Sequence, residues 1–312
     1  MVQGADGSIL LPVNADTYPE LFDEQEMFPS VKTYMTGTMF DEVYHGRTAY
    51  EFLHGLTTYE TTHPHLGKIL ISMGILGFGM TPFGWRFMSA FFGILIIPVM
   101  YLFAKKLLKN TYLATATTAL LVFDCMHFTL SRIATIDIFA AFFILLMYYY
   151  LYQYFTADQA YRKNRNALTD SFPPSSVYTP LALCGINMAF GIATKWTGVY
   201  AGLGLGILFV WYTLMNFPKK QWTRLLGFCC VFFIAIPLIV YTLCFIPVVG
   251  YTPYKNLLDK VISGTQYMFH YHSTLVAEHY YSSPFYEWPV IWMPLLDAIT
   301  GALDIIAEDI SD

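Results

Sequence analysis

Asp41 and Glu42 are adjacent carboxylates in the stretch Phe40-Asp41-Glu42-Val43-Tyr44-His45-Gly46-Arg47, a charged island in a chain that is otherwise mostly apolar. A second polar run, Thr62-His63-Pro64-His65-Leu66-Gly67-Lys68, follows closely. A carboxylate can take the proton from a hydroxyl as that hydroxyl attacks. Further along stand the cations Arg86, Arg132 and Lys195 and the carboxylates Asp124 and Asp137, each beside a long apolar run. Arg and Lys can hold a phosphate and stabilise the charge that builds on it as it leaves. A base with a set of cations suits group transfer from a phosphate-bearing donor. The competing reading is a solvated Asp-Glu loop, with the other charges snorkelling or forming structural pairs such as Arg132 with Asp137.

Other chemistries find less support. His63-Pro64-His65 and His270-Tyr271-His272 are His-x-His pairs, but they lie far apart and no Cys, Asp or Glu spacing completes a metal motif. Hydrogen bonding or sugar contact is their expected use, and no metal or cofactor is expected. Cys125, Cys184, Cys229, Cys230 and Cys244 all fall in apolar runs and read as small buried hydrophobes. No basic tract interleaved with aromatics points to nucleic acid. Tyr267, Tyr271, Tyr280, Tyr281, Tyr286 and Trp288 are placed to form an interfacial aromatic belt.

The elements that must position these residues are membrane helices. The chain is 56% hydrophobic and 12% charged. A soluble domain carries about 25% charged residues, so half that share points to lipid as the solvent. Residues 1–65 are polar and lie outside the hydrocarbon. Leu66 to Met80 is apolar but too short to cross and reads as an interfacial or re-entrant helix within residues 66–83. Residues 84–249 hold about six spanning helices: Phe87 to Ala104, Thr111 to about Leu130, Ile138 to Phe155, Tyr178 to Thr194, Gly198 to Met215, and Leu225 to Val249. Residues 250–288 read as an external loop, and 289–312 as a tail in which Asp297, Asp304, Glu308, Asp309 and Asp312 interrupt an apolar pattern. If the helix ends alternate, Lys105, Lys106, Lys109, Arg162, Lys163, Arg165, Lys219, Lys220 and Arg224 share one face. Short basic loops stay cytoplasmic, so Asp41, Glu42, Arg86, Arg132, Asp137 and Lys195 are predicted to face outward.

FDEVYHGRTAYEFLHG, THPHLGK, GWRFM, FDCMHFTLSRIATID and ATKWTG occur in that order, followed by YHSTLVAEHYYSSPFYEWP. Together, from about residue 20 to 292, they resemble the protein O-mannosyltransferases, particularly the bacterial members. The resemblance implies an all-α, multi-pass membrane bundle of the C-type glycosyltransferase fold, with an external first loop. It also implies transfer of mannose from polyprenyl (dolichyl-type) phosphate mannose to Ser or Thr hydroxyls of secreted or membrane proteins, with inversion. By the same resemblance Asp41 is the candidate general base and Glu42 its neighbour in the site. Arg86 and Lys195 match basic positions near the donor phosphate. Arg132 and Asp137 match a polar outer turn, and His63 joins the substrate-binding set. The expected location is a bacterial cell membrane, or the endoplasmic reticulum membrane in a eukaryote, with the lipid-linked sugar, an acceptor polypeptide and the bilayer as partners.

Three departures accompany the resemblance. No spanning helix precedes the first loop, the chain closes in an acidic stretch unlike the family's further helices, and His65 replaces a usual second proline. These lead to the expectation of a fragment or truncated product. The nearest rival is a related lipid-phosphate glycosyltransferase with a lipid or glycan acceptor, of the aminoarabinose-transferase type. A transporter would show inverted repeats and midplane charges, which the sequence lacks.

Overall fold

The computed structural model describes residues 37–164, 174–218, 221–251 and 253–275. The expectations for residues 1–36, for Arg165, Lys219 and Lys220, for Tyr280, Tyr281, Tyr286 and Trp288, and for the acidic tail lie outside the described residues. The described residues form helices joined by loops, with no strand. Contacts divide the chain into a unit ending at Met268 and a second beginning at Phe269.

In chain order the helices are α1 (Glu42–His54), α2 (Leu66–Phe78), α3 (Pro82–Leu108), α4 (Thr111–Val122), α5 (Cys125–Leu130), α6 (Asp137–Asn164), α7 (Ser175–Thr194), α8 (Thr197–Asn216), α9 (Trp222–Cys229), a π-helical segment (Cys230–Ala235), α10 (Ile236–Leu243) and α11 (Leu257–Thr274). Among the described residues, five stretches are long and apolar enough to cross a membrane: α3, α6, α7, α8 and the continuous Trp222–Leu243. The protein is a multi-pass membrane protein. Local chemistry sets the boundaries. Thr81 caps α3 by accepting from the Gly84 amide, and Pro82 occupies its first turn, where the missing N–H costs nothing. Lys109 ends α3 at φ 53°, and Asn110 then caps α4 through the amides of Tyr112 and Leu113.

The structure departs from the expected helices at two places. The continuous Thr111 to Leu130 span is broken after Val122, because the Asp124 carboxylate turns back to cap α5 by accepting from the His127 amide at 2.7 Å. Residues 111–136 still return the chain along α3: a Cβ on Gly93 would lie 2.4 Å from Ser131 Cβ, and Ala134 reaches the Arg86 end. Within the stretch read as a loop, α11 forms. Leu257, Val261 and Met268 recur on one face and pack on Phe245 and Val248, while Asn256 Oδ1 accepts from the Asp259 amide.

Two cores fill the bundle. Ile71, Ile75, Phe92, Ile96, Phe139 and Phe143 pack under α1, α2, α3 and α6, with the Phe92 and Phe139 ring centroids 4.9 Å apart. Met147, Leu151, Tyr154, Leu181, Cys184 and Tyr212 fill the other half, between α6, α7 and α8. There Asp158 is buried and accepts from Arg162 Nε at 2.6 Å and from the Tyr212 hydroxyl at 2.8 Å, tying α6 to α8. The ends of α3, α6 and α9 gather Lys105, Lys106, Arg162, Lys163 and Arg224 at this end. The opposite end holds the starts of α3 and α6, the end of α7, and α1 and α2.

Candidate active site

Asp41 precedes α1, and the residue before it, Phe40, is held at φ 54° with its side chain 74% exposed. Non-Gly residues adopt that region at a cost of about 1–3 kcal/mol, and such strain clusters at functional positions. The Asp41 carboxylate does not cap α1, though its carbonyl accepts from the Tyr44 and His45 amides at 3.1 Å. Glu42, one residue on, is turned fully inward. Its Oε1 accepts from Arg86 Nε at 2.6 Å and from the Ala134 amide at 3.0 Å. Its Oε2 accepts from Arg86 Nη2 at 2.7 Å and from the Met39 amide at 2.9 Å. Arg86 also donates to the Gly37 carbonyl at 3.0 Å. The planar fork of Arg matches a carboxylate in this two-point manner. Arg86, expected from the resemblance to lie near the donor phosphate, pairs with Glu42 and fastens α1 to α3 and to the loop before α6.

A second buried charge set lies behind α1. Glu60 and Lys68 form a salt bridge with Lys68 wholly buried. The Lys68 ammonium also donates to the Glu60 carbonyl at 2.9 Å and the His63 carbonyl at 3.1 Å, which uses its three N–H donors. Burial by itself would raise the Glu60 pKa, but the Lys68 ammonium, His45 and the hydrogen bonds from Lys68 and Thr62 together hold the carboxyl well below the usual range. Burial lowers the Lys68 pKa, with Glu60 opposing. His45 Nδ1 stands 3.8 Å from Glu60 Oε2; burial first and Lys68 second push its pKa down to about 3. Glu51 anchors the far end of α1, pairing with Arg47 Nε at 2.8 Å and accepting from the Tyr59 amide. His65 is enclosed edge-on by the Phe52 and Phe245 rings, and burial keeps its pKa well below the ordinary value.

Toward the surface, Lys195 Nζ donates to Asp137 Oδ1 at 2.6 Å, with the two side chains 24% and 37% exposed. Asp137 thus pairs with Lys195, and not with Arg132 as the turn alone would have it. Arg132 is exposed and lies over the Phe128 ring at 3.8 Å. The loops converge because Gly67 has no side chain: a Cβ there would lie 2.6 Å from Ile136 and 3.3 Å from Thr194. Thr58 completes the join, exchanging hydrogen bonds of 2.8 and 3.0 Å with the Val249 main chain. Of the sequence-derived set, the structure joins Glu42 to Arg86 and Asp137 to Lys195, and it places His63 at the Lys68 ammonium through its carbonyl. Sequence reasoning passed over His45, Glu60 and Lys68. The signal for His45 was its spacing four residues after Asp41, on the same helical face. Among the described residues, no three His, Cys, Asp or Glu side chains are grouped to hold a metal ion.

The profile of the dolichyl-phosphate-mannose-protein mannosyltransferase family matches residues 75–249. The chain is 25% identical over 306 residues to a polyprenol-phosphate-mannose–protein mannosyltransferase of Mycolicibacterium smegmatis strain mc(2)155, covering 84% of this chain and 58% of that protein. It is 27% identical over 183 residues to the Mycobacterium tuberculosis H37Rv protein of the same name, covering 54% of this chain and 35% of that one. The chain thus spans under three fifths of the length of these relatives. Two solved structures share its fold. The Saccharomyces cerevisiae Pmt1–Pmt2 complex bound to its sugar donor gives a TM-score of 0.56 at 20% identity, over 76% of this chain and 34% of that one. ArnT from Cupriavidus metallidurans gives 0.54 at 18% identity, over 90% and 49%.

Proposed function

Because this chain belongs to the dolichyl-phosphate-mannose-protein mannosyltransferase family, we propose that it transfers mannose from a polyprenyl (dolichyl-type) phosphate mannose to Ser or Thr hydroxyls of secreted or membrane proteins. The observation that carries the reading is the gathering of Asp41, the Glu42–Arg86 pair and the Asp137–Lys195 pair at one end of the bundle.

In the proposed reaction the acceptor hydroxyl oxygen attacks the anomeric carbon of mannose as the bond from that carbon to the phosphate oxygen breaks. One displacement inverts the configuration. The hydroxyl proton passes to Asp41, and the lipid phosphate leaves with the bonding pair. Lys195, about a quarter exposed, is the cation that can turn from Asp137 to the phosphate and stabilise its developing charge. Arg132 lies exposed as a second cation, and His63, half-buried with its carbonyl on Lys68, completes the proposed set. Glu42 and Arg86, paired with each other, hold Asp41 in place at the start of α1. The route calls on no resident cofactor, since the lipid-linked sugar is itself a substrate. The opposite end carries Lys105, Lys106, Arg162 and Lys163, and the retention of short basic loops in the cytoplasm supports an extracytoplasmic Asp41.

The test is Asp41→Asn in the membrane-inserted protein, assayed with polyprenyl phosphate mannose and a Ser/Thr-containing peptide. Loss of the base lowers transfer by about 100-fold or more with insertion unchanged. Transfer near the wild-type rate would remove Asp41 from that role.

A further inference from the structure

We infer that the buried Glu60–Lys68 pair is a positioning device for the reaction, setting both the orientation of α1 and the electric field behind Asp41. The inference rests on the proposed function for its kinetic consequence, and on geometry alone for its structural one.

Asp41, His45 and Thr48 follow one another at four and three residues, so they share a face of α1. The inward neighbours of that face belong to the pair. The Glu60 amide donates to Thr48 Oγ1 at 3.3 Å, and the Glu60 carboxylate stands 3.8 Å from His45 Nδ1. The other carboxylate oxygen accepts from the Thr62 amide at 2.7 Å and from the Thr62 hydroxyl. With the three Lys68 donors also taken, the pair has no capacity directed at a substrate. Its outlet is α1. Stability alone gives no reason for buried charges here, since well-packed apolar residues can replace a buried ion pair without loss.

The groups facing His45 are Glu60 and His63 from the α1–α2 loop, Lys68 from α2, and Asp137 from the start of α6. Burial, Lys68 and His63 disfavour a proton on His45, whereas Glu60 and Asp137 favour one. The Lys68 ammonium therefore adds to burial in keeping the ring one turn behind Asp41 uncharged. Neutralising Lys68 tips the balance: His45 takes up a proton at higher pH, and the new cation lowers the proton affinity of Asp41. Neutralising Glu60 works in the opposite direction on His45. Two variants that disturb the same contact thus carry opposite electrostatic signatures.

The full chain is prepared as wild type, Lys68→Met, Lys68→Arg, Glu60→Gln, Lys68→Met/His45→Gln and Glu60→Gln/Lys68→Met. Histidine side-chain NMR in detergent micelles, with His45 assigned by the signal that Lys68→Met shows and Lys68→Met/His45→Gln lacks, is followed between about pH 5 and 8. His45 is expected to stay neutral in wild type and Glu60→Gln and to titrate within the range in Lys68→Met. In mannosyl transfer, Lys68→Met is expected to lose at least about tenfold in kcat near pH 6, with donor KM within about threefold. Its rate then climbs with pH along a limb that Lys68→Met/His45→Gln lacks, and Lys68→Arg restores the flat profile. If Lys68→Met does not fold, the double Glu60→Gln/Lys68→Met leaves no lone buried charge and is expected to fold and to transfer about tenfold more slowly. A His45 that stays neutral in Lys68→Met, a uniform rate loss with unchanged pH profile, or a wild-type rate in the double variant would each overturn the inference. If wild type transfers no mannose, the proposed function fails, while the titration still decides the electrostatic role.

Discussion

Asp41 and Glu42 are consecutive, yet the first turn of α1 sends Glu42 to Arg86 and the Ala134 amide while Asp41 keeps a partly exposed side chain. Losing one partner of a buried ion pair leaves the other charge without compensation and costs about 3–5 kcal/mol. Glu42→Gln is accordingly expected to lower the unfolding free energy by that order, read by denaturant titration in detergent. Arg47→Ala removes an i,i+4 pair whose Arg side chain is 57% exposed, and its expected cost is under about 0.5 kcal/mol. The histidines add a pH dependence. His45 has its pKa lowered from 6.5 to about 3 in the folded protein, so between those values the unfolded chain binds a proton that the folded one refuses. Stability therefore falls as pH drops from about 6.5 to about 3, at up to about 1.4 kcal/mol per pH unit for this group. Glu60, depressed by Lys68, adds a further loss below its ordinary carboxylate value. Melting temperatures across that range check the sign.

At the scale of elements, α1 is inverted relative to a helix of a soluble protein. Its buried side carries Glu42, His45, Thr48 and Glu51, while Val43, Tyr44, Tyr50 and Leu53 are exposed. Hydrophobic periodicity therefore assigns no inward face, because the inward face is held by hydrogen bonds and ion pairs. The Lys195 corner depends on a close helix approach. A Cβ on Gly198 would lie 2.6 Å from the Gly191 carbonyl carbon and 2.7 Å from the Ile192 amide nitrogen, both main-chain atoms that cannot rotate away. Gly198→Ala is expected to cost about 1–3 kcal/mol and to raise the donor KM by displacing Lys195. Gly206→Ala on the same helix meets nothing within 4 Å and serves as the tolerated control.

Over the whole molecule, the polar site and the basic helix ends lie at opposite ends of the bundle. Cysteines introduced at Tyr44 and Lys163, with the native cysteines replaced, are expected to react with an impermeant thiol reagent from opposite sides of the membrane. Labelling from one side only would refute the topology. The relative positions of α3, α6, α7 and α8 were legible because an apolar run of some 20 residues has few alternatives in lipid. The break at Asp124 was not, since a capping carboxylate and a charge at a helix end look alike along a chain. Nor was α11, whose aromatic and histidine content masked the recurrence of Leu257, Val261 and Met268.

The sequence by itself determined the membrane class, the bundle of apolar helices, and the residue types from which a site could be made, because composition, run length and ordered motifs are properties of the chain alone. Only the tertiary structure decided the pairings: Glu42 with Arg86, Asp137 with Lys195, and Glu60 with Lys68 behind His45. Each pair joins residues from separate segments, and an ion's partner is set by which charge lies within a few ångströms once the helices have packed, a distance that sequence spacing does not contain.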